Sequence, residues 1–224
     1  MEWLKRLLST IRLGLHFFRV GFQVMYGAWK ITRLPQPVVS IFGGHLLSKE
    51  SIFIEQAHKI ASILVEHKIS VITGGGQGIM EAANSGAAHQ RDKRIRSMGI
   101  GVAGLPGEKW LNRYVKESII LDYFFARKYL LTEYSMGFVI FPGGLGTMDE
   151  LSDLMNLVET KKRSPAPVIL FGKEHWTLYI DWIEHATKEG LIEESGAKKS
   201  LILTDDVDHA IAVLVAYCAE CVKD

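Results

Sequence analysis

The spacing of apolar residues changes character at Pro35. Before it, Trp3, Leu4, Leu7, Leu8, Ile11, Leu15, Phe18, Phe22, Met25 and Trp29 recur at helical intervals among Lys5, Arg6, Arg12, Arg19, Lys30 and Arg33. Within residues 1–34 no acidic residue follows Glu2. The pattern predicts an amphipathic helical extension over residues 1–34, stopped by Leu34-Pro35-Gln36-Pro37. Arg12 and Arg19 interrupt any run long enough to span a bilayer, and no small-residue cleavage site follows a clean apolar core. The apolar face is expected to pack on the following domain or on a second subunit; peripheral contact with an anionic membrane surface is the weaker reading.

From residue 38 the pattern alternates between short β-branched or aromatic runs and helical stretches. Strands are predicted at Val38–Phe42, Ser70–Thr73, Met98–Val102, Ser118–Leu121, Gly137–Phe141, Val168–Phe171 and Ser200–Leu203. Helices are predicted between them at about Lys49–His67, Gly78–His89, Asp122–Ser135, Met148–Thr160 and Trp176–Glu189, with a last one at Val207–Ala219. This alternation is that of βαβ units. Residues 35–224 therefore read as one α/β domain, a doubly wound, Rossmann-like parallel sheet of about seven strands flanked by helices. In such sheets ligands bind at the carboxyl ends of the strands.

Composition narrows the classes of function. The 224 residues include 26 Lys+Arg and 25 Asp+Glu, a formal charge of +1, so nothing in the balance calls for nucleic acid. At 48% hydrophobic and 23% charged the chain is neither disordered nor collagen-like. Its two cysteines, Cys218 and Cys221, end an apolar helical run, and no second Cys/His pair completes a metal site. The eight histidines show neither H-E-x-x-H nor H-x-H spacing, so no metal is expected. Scarce cysteine and the lack of a signal peptide point to the cytoplasm.

Two loops carry the chemistry. Ile72-Thr73-Gly74-Gly75-Gly76-Gln77-Gly78 and Phe141-Pro142-Gly143-Gly144-Leu145-Gly146-Thr147 each join a buried strand to a helix through glycines. Glycine lets backbone approach a ligand, and the N–H groups of a helix N-terminus favour a phosphate. Two such loops on one sheet edge suggest a nucleotide, although tight turns alone also call for glycine. Neither loop supplies the Lys and hydroxyl of a G-x-x-x-x-G-K-[ST] loop. A dinucleotide G-x-G-x-x-G also fails, because its third glycine would fall on Ile79 or Glu81. Thr147 and Glu150 have the spacing of a helix capping box, which is a sufficient structural reason for both. Glu150 nevertheless lies in the first turn after a phosphate-type loop. Asp149 and Glu150 point about 100° apart on a helix and do not form a pair on one face. Arg127-Lys128, ahead of the second loop, offers a guanidinium fork to phosphate or carboxylate.

Gly74-Gly75-Gly76-Gln77-Gly78-Ile79-Met80 resembles a GGGxxGxM loop, and Pro142-Gly143-Gly144-Leu145-Gly146-Thr147-Met148-Asp149-Glu150 matches a PGGxGTxxE motif without departure. With Arg127-Lys128 before it, this set is similar to the LONELY GUY family, cytokinin riboside 5′-monophosphate phosphoribohydrolases often labelled lysine decarboxylases. The resemblance covers residues 38–214. Phe124-Phe125-Ala126, Leu105-Pro106-Gly107-Glu108 and Val168–Trp176 look most like its longer bacterial branch. The loop after the first strand departs, reading Gly43-Gly44-His45 where the family has Gly-Ser and a small or charged residue.

The resemblance implies hydrolysis of the N-glycosidic bond of a nucleoside 5′-monophosphate, of the AMP or cytokinin type, to free base and ribose 5-phosphate. The family's essential Arg and Glu carry over to Arg127 and Glu150. Gly143, Gly144, Gly146 and Thr147 would hold the phosphate, with Pro142, Lys128, Gly43, Gly44, Gly75 and Gly76 as further contacts and Glu108 as another candidate. No cofactor is implied, since decarboxylation would need a pyridoxal lysine that no motif identifies. A homodimer or larger homo-oligomer is implied as well. Two other readings stay open: a non-catalytic module that binds a nucleotide or molybdenum cofactor on the same fold, and an interaction protein docking through its basic N-terminal helix.

Overall fold

A computed structural model describes residues 2–88, 97–104, 111–193 and 197–221. A helix α1 (Glu2–Thr32) precedes the sheet. Then follow β1 (Val38–Phe42), α2 (Ile52–Glu66), β2 (Ser70–Thr73), α3 (Ile79–Ala88), β3 (Ser97–Val102), β4 (Glu117–Leu121) and α4 (Phe124–Glu133). After these come β5 (Gly137–Ile140), α5 (Leu145–Glu159), β6 (Val168–Phe171), α6 (Lys173–Lys188), β7 (Leu201–Thr204) and α7 (Val207–Cys221). The strands form one seven-stranded sheet of order β4-β3-β2-β1-β5-β6-β7, and every pairing is parallel.

Central strands of such a sheet are covered on both sides, and their side chains divide by the two-residue period of the pleat. Val38, Phe42, Phe138, Ile140 and Leu170 enter a core closed by Ile31 of α1, Leu130 of α4, Leu154 of α5 and Trp176 of α6. Val39, Ile41, Val139, Phe141 and Ile169 face the opposite core, closed by Ile60 and Leu64 of α2, Ala83 of α3 and Leu214 of α7. Trp176, wholly buried, donates its indole N–H to the Ile140 carbonyl at 3.1 Å. The chain builds outward from β1 to β4, returns through α4 to β5, and builds outward again to β7. The direction of winding therefore reverses between β1 and β5. The helices leaving these neighbours pack on opposite faces, which opens a crevice at their carboxyl ends.

The N-terminal helix departs from one expectation. Its large apolar stripe does not cover the domain; the residues of α1 that are buried are Val20, Gly27 and Ile31. The contact is made where glycine allows a close approach: a Cβ at Gly27 would run into the Leu130 side chain. Two ion pairs hold the same side, Arg19 with Asp122 and Lys30 with Glu117, both at 2.8 Å. No described helix is long and apolar enough to cross a membrane.

Candidate active site

The crevice at the β1/β5 switch point holds a cleft of about 290 Å³. Its floor is set by backbone. Gly44 N–H donates to the Pro142 carbonyl at 2.9 Å and locks the loop after β1 to the loop after β5. The Gly44 carbonyl in turn accepts the Ile79 N–H at 3.2 Å, tying the start of α3 to the same point. Gly43 is required here because a Cβ would meet the Ile79 side chain at 2.8 Å.

Helix α5 begins three residues earlier than its sequence pattern suggests, at Leu145, with Gly144 as its N-cap. Thr147 is therefore the third residue of the helix and Glu150 the sixth, so the capping-box reading is wrong. The reason is steric: Gly143 has room for the Thr147 side chain, with which its own Cβ would collide, and the turn tightens early. The correction bears on function. The N–H groups of Leu145, Gly146 and Thr147 are the first of the helix and have no carbonyl four residues back inside it, and these three residues line the cleft. Glu150, relieved of a capping role, projects from the second turn toward α4.

Its partner there is Arg127, the fourth residue of α4. Arg127 Nη2 lies 3.3 Å from Glu150 Oε1, with only 7% and 14% of the two side chains exposed. Lys128, one residue on, makes a separate pair with Asp149 at 3.2 Å. The two neighbouring carboxylates thus take two neighbouring cations, as their divergence on the helix requires. Gly74 completes the support: a Cβ at that position would strike the Arg127 guanidinium and the Met80 sulfur. The glycine after β2 therefore makes space for the arginine.

The structure brings Gly43, Gly44, Arg127, Lys128, Gly144, Gly146, Thr147 and Glu150 together around the cleft. Pro142 and Gly143 form the back of the loop, while Gly75 and Gly76 lie off the cleft wall. The carbonyls of Gly75 and Gly76 accept the Asn112 side-chain amide at 3.1 and 2.9 Å, and Gly75, at φ +76°, packs against Leu111 and Gly99. Under them sits a buried network in which Asn84 Oδ1 accepts from Thr73 Oγ1 at 2.8 Å and from Asn112 Nδ2 at 2.9 Å. Sequence reading misses that network, along with the apolar side of the cleft formed by Leu46, Met80 and Phe124. A half-exposed aromatic at the start of α4, three residues before Arg127, is the one signal that points to it. Glu108 and the Leu105–Glu108 stretch lie outside the described residues.

These features define a parallel α/β protein with a phosphate-type helix terminus and a buried Arg–Glu pair at its switch point. The family model described as "Possible lysine decarboxylase" matches residues 80–214, and the chain belongs to this family, the LONELY GUY family that its motifs resemble. It is 26% identical over 205 residues to the pyrimidine/purine nucleotide 5′-monophosphate nucleosidase of Escherichia coli K12, an alignment covering 88% of this chain and 44% of that protein. The chain thus spans less than half the length of that relative. It is 22% identical to the cytokinin riboside 5′-monophosphate phosphoribohydrolase of Rhodococcoides fascians, over 79% of this chain and 88% of that one. Among solved structures, the molybdenum cofactor carrier protein of Chlamydomonas reinhardtii superposes with a TM-score of 0.58 at 21% identity, over 82% of this chain and 99% of that one. That likeness is one of fold.

Proposed function

We propose that this chain hydrolyses the N-glycosidic bond of a nucleoside 5′-monophosphate, releasing the base and ribose 5-phosphate. The observation that carries the reading is the Arg127–Glu150 pair, 3.3 Å apart and nearly buried, in the same cleft as the open N-terminus of α5. The names of the Escherichia coli and Rhodococcoides fascians relatives support the same reaction class.

In this reading the 5′-phosphate sits on the N–H groups of Leu145, Gly146 and Thr147, where the helix dipole and unshared donors favour an anion. Gly144 and Gly146 help because, among the described residues, a Cβ at either would meet nothing within 4 Å beyond its chain neighbours and its own helix's backbone, so the space their missing side chains leave is open to the ligand. The base lies against Leu46, Met80 and Phe124, and an adenine or a cytokinin-type base suits that apolar wall. The ribose then lies beside Glu150. As the C1′–N bond lengthens, positive charge grows on the sugar ring and the Glu150 carboxylate stabilises it. Glu150 also takes a proton from the water that attacks C1′ and later releases it to solvent, while the departing base nitrogen takes one proton from solvent, so that one water is consumed overall. Arg127 holds the carboxylate in place, and Lys128 with Asp149 fixes the next turn. The step consumes only water. A cytoplasmic setting is proposed on the scarcity of cysteine in the sequence.

The test is chromatographic detection of free base after incubation with a panel of nucleoside 5′-monophosphates, beside Glu150→Gln and Arg127→Ala. Base release abolished by both substitutions is the expected result. If no panel member is cleaved while one raises the melting temperature, the protein is a nucleotide-binding module instead.

A further inference from the structure

The exposed side of α1 carries a regular seam. Leu8, Leu15, Phe22 and Trp29 follow at intervals of seven, and Leu4, Ile11, Phe18 and Met25 do the same, so that steps of four and three residues alternate through four heptads. All eight are exposed, from 46% at Leu4 to 79% at Phe18. Counted at 100° per residue, the seam lies about 170° round the helix from Val20, Gly27 and Ile31, the residues docked on the domain. The domain thus leaves the whole stripe uncovered.

The two flanks of the seam differ. Lys5, Arg12 and Arg19 line one side, following Leu4, Ile11 and Phe18; Leu7, Gly14, Gly21 and Ala28 line the other, preceding Leu8, Leu15, Phe22 and Trp29. Among the described residues, nothing beyond the neighbouring turns of α1 itself lies within 4 Å of where a Cβ at Gly14 or Gly21 would stand. The fold of one chain therefore gives no reason for glycine at either place, where glycine weakens a helix. A closely approaching second helix gives one.

We infer that α1 pairs with α1 of a second copy of this chain in a parallel, in-register, two-stranded coiled coil. An apolar repeat of three and four over four heptads is the pattern of such a pair. In the parallel arrangement each cationic flank meets the small-residue flank of the other helix, where the aliphatic stems of Arg12 and Arg19 cover Leu7 and Gly14. The antiparallel arrangement sets Lys5, Arg12 and Arg19 against the same cations of the other copy. Because docked side and seam are opposed, the two domains stand outside the pair and do not collide. An anionic bilayer is the rival occupant, since residues 1–34 hold six Lys/Arg and one acidic residue whereas the rest of the chain holds 20 and 24. Its fit is poorer: the cations gather mainly on one flank, and Arg19 and Lys30 are already neutralised by Asp122 and Glu117.

Light scattering after size exclusion tests the inference on the full chain, alone and with vesicles containing an anionic lipid. The expected result is a dimeric mass, or a multiple of it, that falls to the next smaller species in the F18K/F22K double variant while the thermal transition of the α/β domain stays in place. A Leu8→Cys variant, near one end of the seam, distinguishes orientation: parallel helices bring the two thiols together and oxidation links two chains, whereas the unsubstituted chain under the same oxidation does not link. A monomeric full chain overturns the proposal, as does a dimer unaffected by F18K/F22K or a dimer that Leu8→Cys fails to link. A monomer that floats with anionic vesicles through α1 gives the face to a membrane instead.

Discussion

Gly74, Gly75 and Gly76 after β2, and Gly143, Gly144 and Gly146 after β5, each end a buried strand and lead into a helix, yet the space beside them is filled differently. Around the first set it is protein: the Arg127 guanidinium at Gly74, Leu111 at Gly75, and Asn112 on the carbonyls of Gly75 and Gly76. The helix that follows is tied off as well, since the Ile79 N–H is taken by the Gly44 carbonyl. Around Gly144 and Gly146 the space is open, and the first turn of the helix they begin lines the cleft. One glycine loop supports the arginine; the other is open to the cleft and, in the proposed function, receives the ligand. A glycine motif therefore indicates close approach of something to the backbone, and only the surroundings tell whether that is a side chain or a substrate.

Substitutions sharpen this division. The largest effect is expected from Glu150→Gln, which should lower kcat about 10³-fold while the melting temperature shifts by less than roughly 3 °C; an unchanged rate would remove Glu150 from the chemistry. Gly74→Ala comes next. Its methyl group displaces the end of a side chain rather than backbone, so activity should fall about 100-fold through Arg127, with a stability loss of only about 1 kcal/mol. Equal damage to both would show that Gly74 serves the fold alone. Gly75→Ala should do the reverse, costing about 2 kcal/mol through its positive φ and the Leu111 contact, seen in urea unfolding, with kcat of the remaining folded protein near normal.

Gly146→Ala probes the open loop. The substitution is neutral or stabilising by up to about 1 kcal/mol in a helix, but it places a methyl group where the phosphate would lie, so KM should rise about tenfold with kcat little changed. An unaltered KM would move the phosphate elsewhere. The smallest effect lies outside both loops. Burial, aided by Cys221, pushes the Cys218 thiol up to about 11, so at pH 8 it remains protonated. Iodoacetamide should label Cys221 and spare Cys218 until the chain unfolds, as peptide mapping would show.

Much of the fold is legible in the amino-acid pattern alone. The strands fall within a residue of their expected limits, because buried runs such as Val168–Phe171 have no other use for four consecutive β-branched or large apolar residues. Start points are harder to read. The pattern starts α5 at Met148 instead of Leu145, since Gly146 has poor helix propensity and Thr147 with Glu150 imitates a cap. Arg127 and Glu150 stand out by motif, but nothing local indicates that they touch, being 23 residues apart on helices that meet only after the chain has crossed from β4 to β5.

By itself the sequence determined the local matters: which segments are strand or helix, that the sheet is parallel, where the glycines interrupt it, and that α1 carries an apolar seam. These follow from periodicity and backbone sterics acting over a few residues. Only the tertiary structure decided the strand order, the crevice between β1 and β5, which glycine loop is filled and which is open, and that the seam of α1 faces away from the domain. Each of these depends on what packs against what across long stretches of chain, and such contacts are settled by the joint burial of many side chains, with no mark at any single position.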